Sequence, residues 1–259
     1  MGKRERYEPG TFSWVDLSTS DADGAKAFYG EPFGWGFEDS KIPGGGVYTM
    51  CHVQGDAVAA IFQQDEQPGH WNNYVTVTSA DETAAKARQL GANVFEEPFD
   101  VMEAGRMAVF ADPTGAVLCV WQPREHIDAR RVNDAGCLTW NELQSPDPET
   151  ASTFYAGLFG WETELIEEDG KLVYVVIKNA GSSNSGVMPV TEQHGDAPPY
   201  WLAYFTVPSC EDAIARVQEL GGDALAGPLD IGNGRISVVR DPQGMTFAIF
   251  EARRTIDDR

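Results

Sequence analysis

The chain has 259 residues, 42% of them hydrophobic and 23% charged, with 40 acids against 19 bases for a net charge of -21. That composition is ordinary for a globular protein and excludes a disordered or fibrous chain. The negative balance runs through both halves (20 acids and 10 bases in residues 1–130, 20 and 9 in 131–259), so no nucleic-acid and no membrane partner is expected, since both need a basic face. Taken in order, FSWVDLS (12–18) alternates between turn residues and reads as a strand. SDADGAKAFYGEPFG follows as a helix. Ser20 or Asp21 can cap it, Ala25, Phe28 and Tyr29 recur at helical spacing, and Gly34 can end it. Strands fit 35–39, 46–53 and 57–63, separated by PGGG (43–46) and QGD (54–56). A second unit repeats the order. It has a strand at 73–78, a helix at 81–90 ended by Gly91, and strands near 93–96, 105–111 and 116–121, the last two joined by DPTG (112–115). Residues 123–136 are polar and aperiodic and read as an interdomain linker.

The second half then repeats the first. Trp14, Phe28, Tyr29, Phe33, Gly34 and Trp35 recur 126 positions later as Trp140, Phe154, Tyr155, Phe159, Gly160 and Trp161. WNNYVTV (71–77) matches WLAYFTV (201–207), QLGA (89–92) matches ELGG (219–222), and GRMAVFADPTG (105–115) matches GRISVVRDPQG (234–244). The offset drifts from 126 to 130 while the order is kept, which is a duplication with small loop insertions. Six of the seven tryptophans form three pairs, and the seventh, Trp121, stands opposite Phe250. Each half is itself two βαβββ units. One such unit cannot bury both faces of its sheet, but paired units can curl into a half-barrel around a cavity.

The βαβββ repeat, the FYxxxFGW helix end, the LGG-type helix stop and the GR…DPxG hairpin together resemble the vicinal oxygen chelate superfamily (glyoxalase, bleomycin resistance protein and extradiol dioxygenase). More closely, the chain looks like the superfamily's two-domain actinobacterial glyoxalase-like or "hydroxylase" type, some members of which are linked to antibiotic biosynthesis. The resemblance implies an α+β fold of two tandem glyoxalase-like domains built from four βαβββ modules, over residues 10–122 and 137–251. It also implies where a divalent metal would be held. Ligands would sit on the first strand of a domain, at the start of the second unit and on the final strand. Here those positions carry Trp14, Asn72 and Cys119 in one half, and Trp140, Leu202 and Ala248 in the other. No metal and no cofactor is therefore expected. His52, His70, His126 and His194 lack a second ligand at useful spacing and read as surface or loop histidines.

Strand alternation places residues two apart on one face. The inward sets are then Trp14, Asp16, Asn72, Tyr74, Val117, Cys119 and Trp121, and Trp140, Glu142, Leu202, Tyr204, Thr246, Ala248 and Phe250. Aromatic walls with one carboxylate and one phenol suit a small aromatic or polyketide-like ligand. Asp16 and Glu142, if buried, would have raised pKa values and could act as general acid or base. The bland alternative is that the carboxylates face solvent and the aromatics fill a collapsed core. Three functions follow: a metal-free binding protein of secondary metabolism, a metal-independent enzyme of hydroxylase, isomerase or lyase type using Asp16 or Glu142, or a metal-dependent glyoxalase or dioxygenase, which the ligand positions oppose. Arg106 and Arg235, each in a GR pair, read as a repeated structural salt bridge, and DPTG and DPQG as turns. The four cysteines form no CxxC pair, no apolar run reaches the ~18 residues that span a bilayer, and no apolar core follows MGKRERYEPG. A reduced, cytoplasmic setting is the expectation, and a homodimer is compatible with it.

Overall fold

The computed structural model describes residues 2–42, 45–64, 69–190 and 198–253. His194, Pro43 and Gly44 of the sequence reading lie outside them. Each half folds into one eight-stranded sheet with two helices on one face. The first half runs β1 (Phe12–Thr19), α1 (Ala22–Phe33), β2 (Gly36–Lys41), β3 (Val47–Val53), β4 (Asp56–Gln63), β5 (His70–Thr76), α2 (Ala80–Gln89), β6 (Asn93–Val101), β7 (Gly105–Ala111) and β8 (Val117–Pro123). The second runs β9 (Leu138–Ser145), α3 (Pro148–Phe159), β10 (Glu162–Glu168), β11 (Lys171–Asn179), β12 (Ser182–Pro189), β13 (Tyr200–Thr206), α4 (Cys210–Glu219), β14 (Asp223–Asp230), β15 (Gly234–Arg240) and β16 (Thr246–Ala252). Strand order is β2-β3-β4-β1-β5-β8-β7-β6 in the first sheet and β10-β11-β12-β9-β13-β16-β15-β14 in the second. Each domain is thus two βαβββ modules joined along their first strands, which pair antiparallel (β1 with β5, β9 with β13).

Local chemistry sets the helix ends. The Asp21 and Asp147 carboxylates accept the backbone N–H of Gly24 at 2.9 Å and of Thr150 at 3.0 Å, and Gly34 and Gly160 close the helices at φ 66° and 76°. Ser79 and Ser209 cap α2 and α4 in the same manner. Two strands outrun the sequence reading. β5 starts at His70 rather than 73 because its register along β1 continues to Ser18. β6 extends to Val101 past Pro98, which an edge strand tolerates because its outer side needs no N–H donor.

The helical faces of the two domains pack back to back. Phe28, Tyr29 and Phe33 of α1 meet Phe205 and Phe247 of the second domain, and Phe154 of α3 meets Phe110 of the first. The recurrent motifs are largely the parts of this interface. The Tyr29 hydroxyl donates to Asp241 of DPQG at 2.8 Å. Trp35 donates its indole N–H to the Gly136 carbonyl, and Trp161 to the Gly10 carbonyl, both at 2.7 Å. Each of these tryptophans therefore ties its own domain to the residue that leads into the other.

Residues 123–136 are a packed strap rather than a loose tether. Ala129 and Arg130 donate backbone N–H groups to the carbonyls of Ser13 (3.0 Å) and Ala57 (2.8 Å). Arg131 is buried against Asp56 and Asp134, and buried Asp128 accepts from Ser13 and Thr76. Burial raises the Asp128 carboxyl to about 7. No helix among the described residues is long and apolar enough to cross a membrane. Replacing Trp35 by Phe keeps an aromatic ring but takes from the buried Gly136 carbonyl its indole donor. The expected loss is about 1–3 kcal/mol in urea unfolding, and Trp161→Phe should cost less, because the Asn184 amide still donates to the Gly10 carbonyl at 3.1 Å.

Candidate functional site

The sheet faces turned away from the helices, called bowls below after the half-barrel expected of paired modules, each hold a buried carboxylate. Asp16 lies on β1 opposite Asn72 of β5 and beside Ala60 of β4, and is 2% exposed. Its Oδ1 accepts from the Asn72 amide at 2.8 Å. Its Oδ2 accepts from the hydroxyls of Tyr74 (2.8 Å) and Tyr48 (3.1 Å). Tyr48 in turn accepts the indole N–H of Trp14 at 3.1 Å. The second domain repeats the arrangement. Glu142 accepts from Tyr204 (2.7 Å), Tyr174 (2.8 Å) and the Gln144 amide (2.6 Å), and Tyr174 accepts from Trp140 at 3.0 Å.

Both carboxylates are therefore buried, which removes the reading of them as solvent-facing strand residues. Burial raises both pKa values, against the lowering effect of their hydrogen-bond donors. The same burial, with the carboxylate charge, raises Tyr48, Tyr74, Tyr174 and Tyr204 well above an ordinary phenol. The result is a set of neutral phenols donating to an acid that is poised to hold a proton. Chemically it can present a fixed acceptor or a protonated acid to a ligand, flanked by aromatic rings.

Most of the inward residues named from the sequence fall into two apolar clusters, one per domain. Trp14, Tyr74, Cys119 and Trp121 form one apolar cluster with Met50, Met107 and Val109 packed on it. Leu202, Tyr204 and Ala248 form another with Trp140, Phe250 and Tyr200 packed on it. Cys119, Leu202 and Ala248 are wholly covered, so they serve as floor rather than wall. Asn72, Val117 and Thr246 sit at the strand ends, where they also line a groove of about 520 Å³ between the domains, with His70, Tyr200 and Met245. Sequence reasoning missed Tyr48 and Tyr174. The signal was present, since they too are separated by 126 positions, but they lie on third strands for which no motif had been set out.

The arginine pairs are structural, as expected. Arg106 binds Asp81 at 2.7 Å and Asp100 at 3.0 Å, and Arg235 pairs with Glu211 and, at 3.8 Å, Glu251. Asp112 and Asp241 fold the DPTG and DPQG turns over their own carboxylates. His52 stands 3.9 Å from Glu38 on the sheet edge. His126, expected at the surface, is instead packed inward with its ring edge-on to Trp14 and Trp121.

Glu142→Gln gives a direct test of the buried acid. A carboxyl whose folded pKa is raised favours the folded state below the ordinary carboxyl range, and that stability is lost as pH rises through the raised value. The wild-type chain should lose urea stability as pH climbs from 4.5 toward neutrality. The Gln variant, which keeps an acceptor for one phenol, should show a shallower loss.

Sequence and structure comparisons add to this geometry. A family model described as "Glyoxalase-like domain" matches residues 14–121, and one described as "Glyoxalase/Bleomycin resistance protein/Dioxygenase superfamily" matches 138–249. The Mycobacterium tuberculosis protein CFP32, provisionally named a glyoxylase, is 39% identical, with 97% of this chain and 98% of that protein covered. The anthracycline biosynthesis protein DnrV of Streptomyces peucetius is 30% identical, with 96% and 95% covered. Among solved structures, the Mn(II)-bound glyoxalase from Novosphingobium aromaticivorans aligns with a TM-score of 0.66 at 18% identity (97% of this chain, 83% of that one). The 2,3-dioxygenase LapB from Pseudomonas sp. KL28 aligns with a TM-score of 0.67 at 14% identity (98% and 97%). These two likenesses concern the fold.

A metal of the kind named in the first of those structures does not fit the residues present here. Among the described residues no three His, Cys, Asp or Glu side chains converge on one point. The nearest carboxylates, Asp16 and Glu142, already accept three hydrogen bonds each. Burial pushes the Cys119 thiol up, away from the thiolate a metal would need.

Proposed function

The chain belongs to the glyoxalase/bleomycin resistance protein/dioxygenase (vicinal oxygen chelate) superfamily, and from that premise we propose that it binds a small, flat aromatic or polyketide-like molecule without a metal ion. The observation that carries this reading is the duplicated Trp–Tyr–carboxylate–Tyr set on the face of each sheet turned away from the helices. The half-buried rings of Trp140, Tyr174 and Phe250 offer stacking surface, and a central acid with its phenols orients hydroxyl or carbonyl groups of a ligand. The likeness to anthracycline biosynthesis proteins supports the ligand class, since an anthracycline carries a flat, fused and hydroxylated ring system. The role is sequestration of such a molecule, or its presentation to a biosynthetic enzyme.

A second reading is favoured by one observation, the raised pKa of the two buried carboxyls. In it the protein is a metal-independent enzyme of hydroxylase, isomerase or lyase type. Protonated Glu142 or Asp16 gives a proton to a ligand oxygen and later takes one back.

Titration with 1,4-dihydroxyanthraquinone, followed by tryptophan fluorescence, tests binding. Saturable quenching at micromolar or lower concentration is expected, and no saturable quenching at its solubility limit would refute the ligand class. Asp16→Asn and Glu142→Gln separate the two readings. A binding protein keeps its affinity within a few-fold and has no turnover to lose. An enzyme keeps binding but loses conversion of its substrate.

A further inference from the structure

The two bowls are equal in their carboxylate networks but unequal at one corner. In the first domain, that corner is formed by Trp14 of β1 and Trp121 of β8. In the second it is formed by Trp140 of β9 and Phe250 of β16. The correspondence is fixed by register. Trp121 pairs with Met107 and lies beside Thr76, and Phe250 pairs with Ile236 and lies beside Thr206. Both rings also lie over the glycine that opens the preceding strand. A Cβ on Gly105 would run into Trp121, and one on Gly234 into Phe250.

The first corner is occupied by the chain itself. His126, in the strap between the domains, sets its imidazole 5.0 Å from the Trp14 ring at an interplanar angle of 87° and 6.0 Å from the Trp121 ring at 77°. The Trp121 indole N–H donates to the His126 carbonyl at 2.9 Å and holds the strap down. Tyr7 braces it further, donating to the Ala129 carbonyl at 2.6 Å. Trp14 and Trp121 are consequently only 2% and 5% exposed. Burial and the neighbouring Arg130 lower the imidazole pKa to about 4, so the ring is neutral at physiological pH. Its Nε2 has no hydrogen-bond partner. A neutral, edge-on ring with an unused polar atom is what a bound heteroaromatic would look like.

The second corner differs. Trp140 and Phe250 are both half-buried, and among the described residues no imidazole ring pairs with either as His126 does with Trp14 and Trp121. The position that matches His126 in the repeat is Thr255, a residue without a ring that lies outside the described residues. Phe250 also lacks the indole N–H with which Trp121 fastens the strap.

We propose that His126 is a built-in occupant of the first bowl, standing where a ligand ring stands in the second. The external ligand is then bound once per chain, with a flat ring placed edge-on between Trp140 and Phe250. This deepens the binding function proposed above and rests on it. It also narrows the ligand class to molecules with a flat terminal ring.

Two measurements test it. Calorimetric titration of the full chain with 1,4-dihydroxyanthraquinone should give one site. Phe250→Ala should weaken that site at least tenfold, while Met50→Ala in the first bowl leaves it within twofold. Two equivalent sites in the wild-type chain, or a single site lost with Met50→Ala and kept with Phe250→Ala, would overturn the proposal. Independently, His126→Gly should open the first corner, so that millimolar imidazole raises the melting temperature of the variant by several degrees and leaves the wild type unchanged. A folded His126→Gly chain that does not respond to imidazole would also overturn it. If that variant does not fold, the wild-type stoichiometry still decides. Imidazole rescue of the His126→Gly variant, with no anthraquinone bound by the wild-type chain, would refute the ligand class and leave the plug standing.

Discussion

Each half of this chain makes a sheet with one face that cannot be left in water. A βαβββ module has one helix for four strands, so the helices cover only part of the apolar surface behind the sheet. The remainder is covered by the other half. Phe28, Tyr29 and Phe33 reach the far domain's Phe205 and Phe247, and Phe154 reaches Phe110 in return. That mutual burial commits the helical faces to each other and turns both bowls outward. The location of the bowls is therefore a result of how the backs are packed.

Within each bowl a second tension operates. Removing a carboxylate from water is costly unless donors replace the solvent. Both Asp16 and Glu142 obtain two phenols and one amide, but from different strands. In the first domain the amide is Asn72 of β5. In the second that position is Leu202, and the amide is Gln144, two residues along β9 from the acid it serves. The set of donors has been kept while its members moved. The acid itself changed from Asp to Glu along with the site of its amide, as a shift in the donor's position would require. Such compensation points to the satisfied carboxylate, and not any single residue, as the feature the two domains share.

The repeat made the architecture legible. A strand's alternation and a helix's caps are local properties, and the 126-position offset of Trp14, Phe28, Tyr29 and Trp35 doubled the signal for each. The inward direction of Asp16 and Glu142 followed from the same alternation. What local patterns could not convey was contact across distance. Tyr48 completes the Asp16 network from 32 residues away, and Tyr174 does the same for Glu142. The 123–136 strap looked like a linker because its residues are polar. Its Arg131 and Asp128 are buried, and its His126 half-buried, by partners the strap meets only after folding. β6 reads short, at 93–96, because an edge strand needs neither alternation nor freedom from proline.

The reciprocal bonds from Trp35 to Gly136 and from Trp161 to Gly10 give the domain interface the form of a two-fold dimer held in one chain. A true homodimer changes both of its cavities with every substitution, so neither can be sacrificed without the other. Covalent duplication removes that bond between copies. One cavity can harden into scaffold, taking a piece of the backbone for its filling, while its twin stays free to follow the chemistry of whatever enters it.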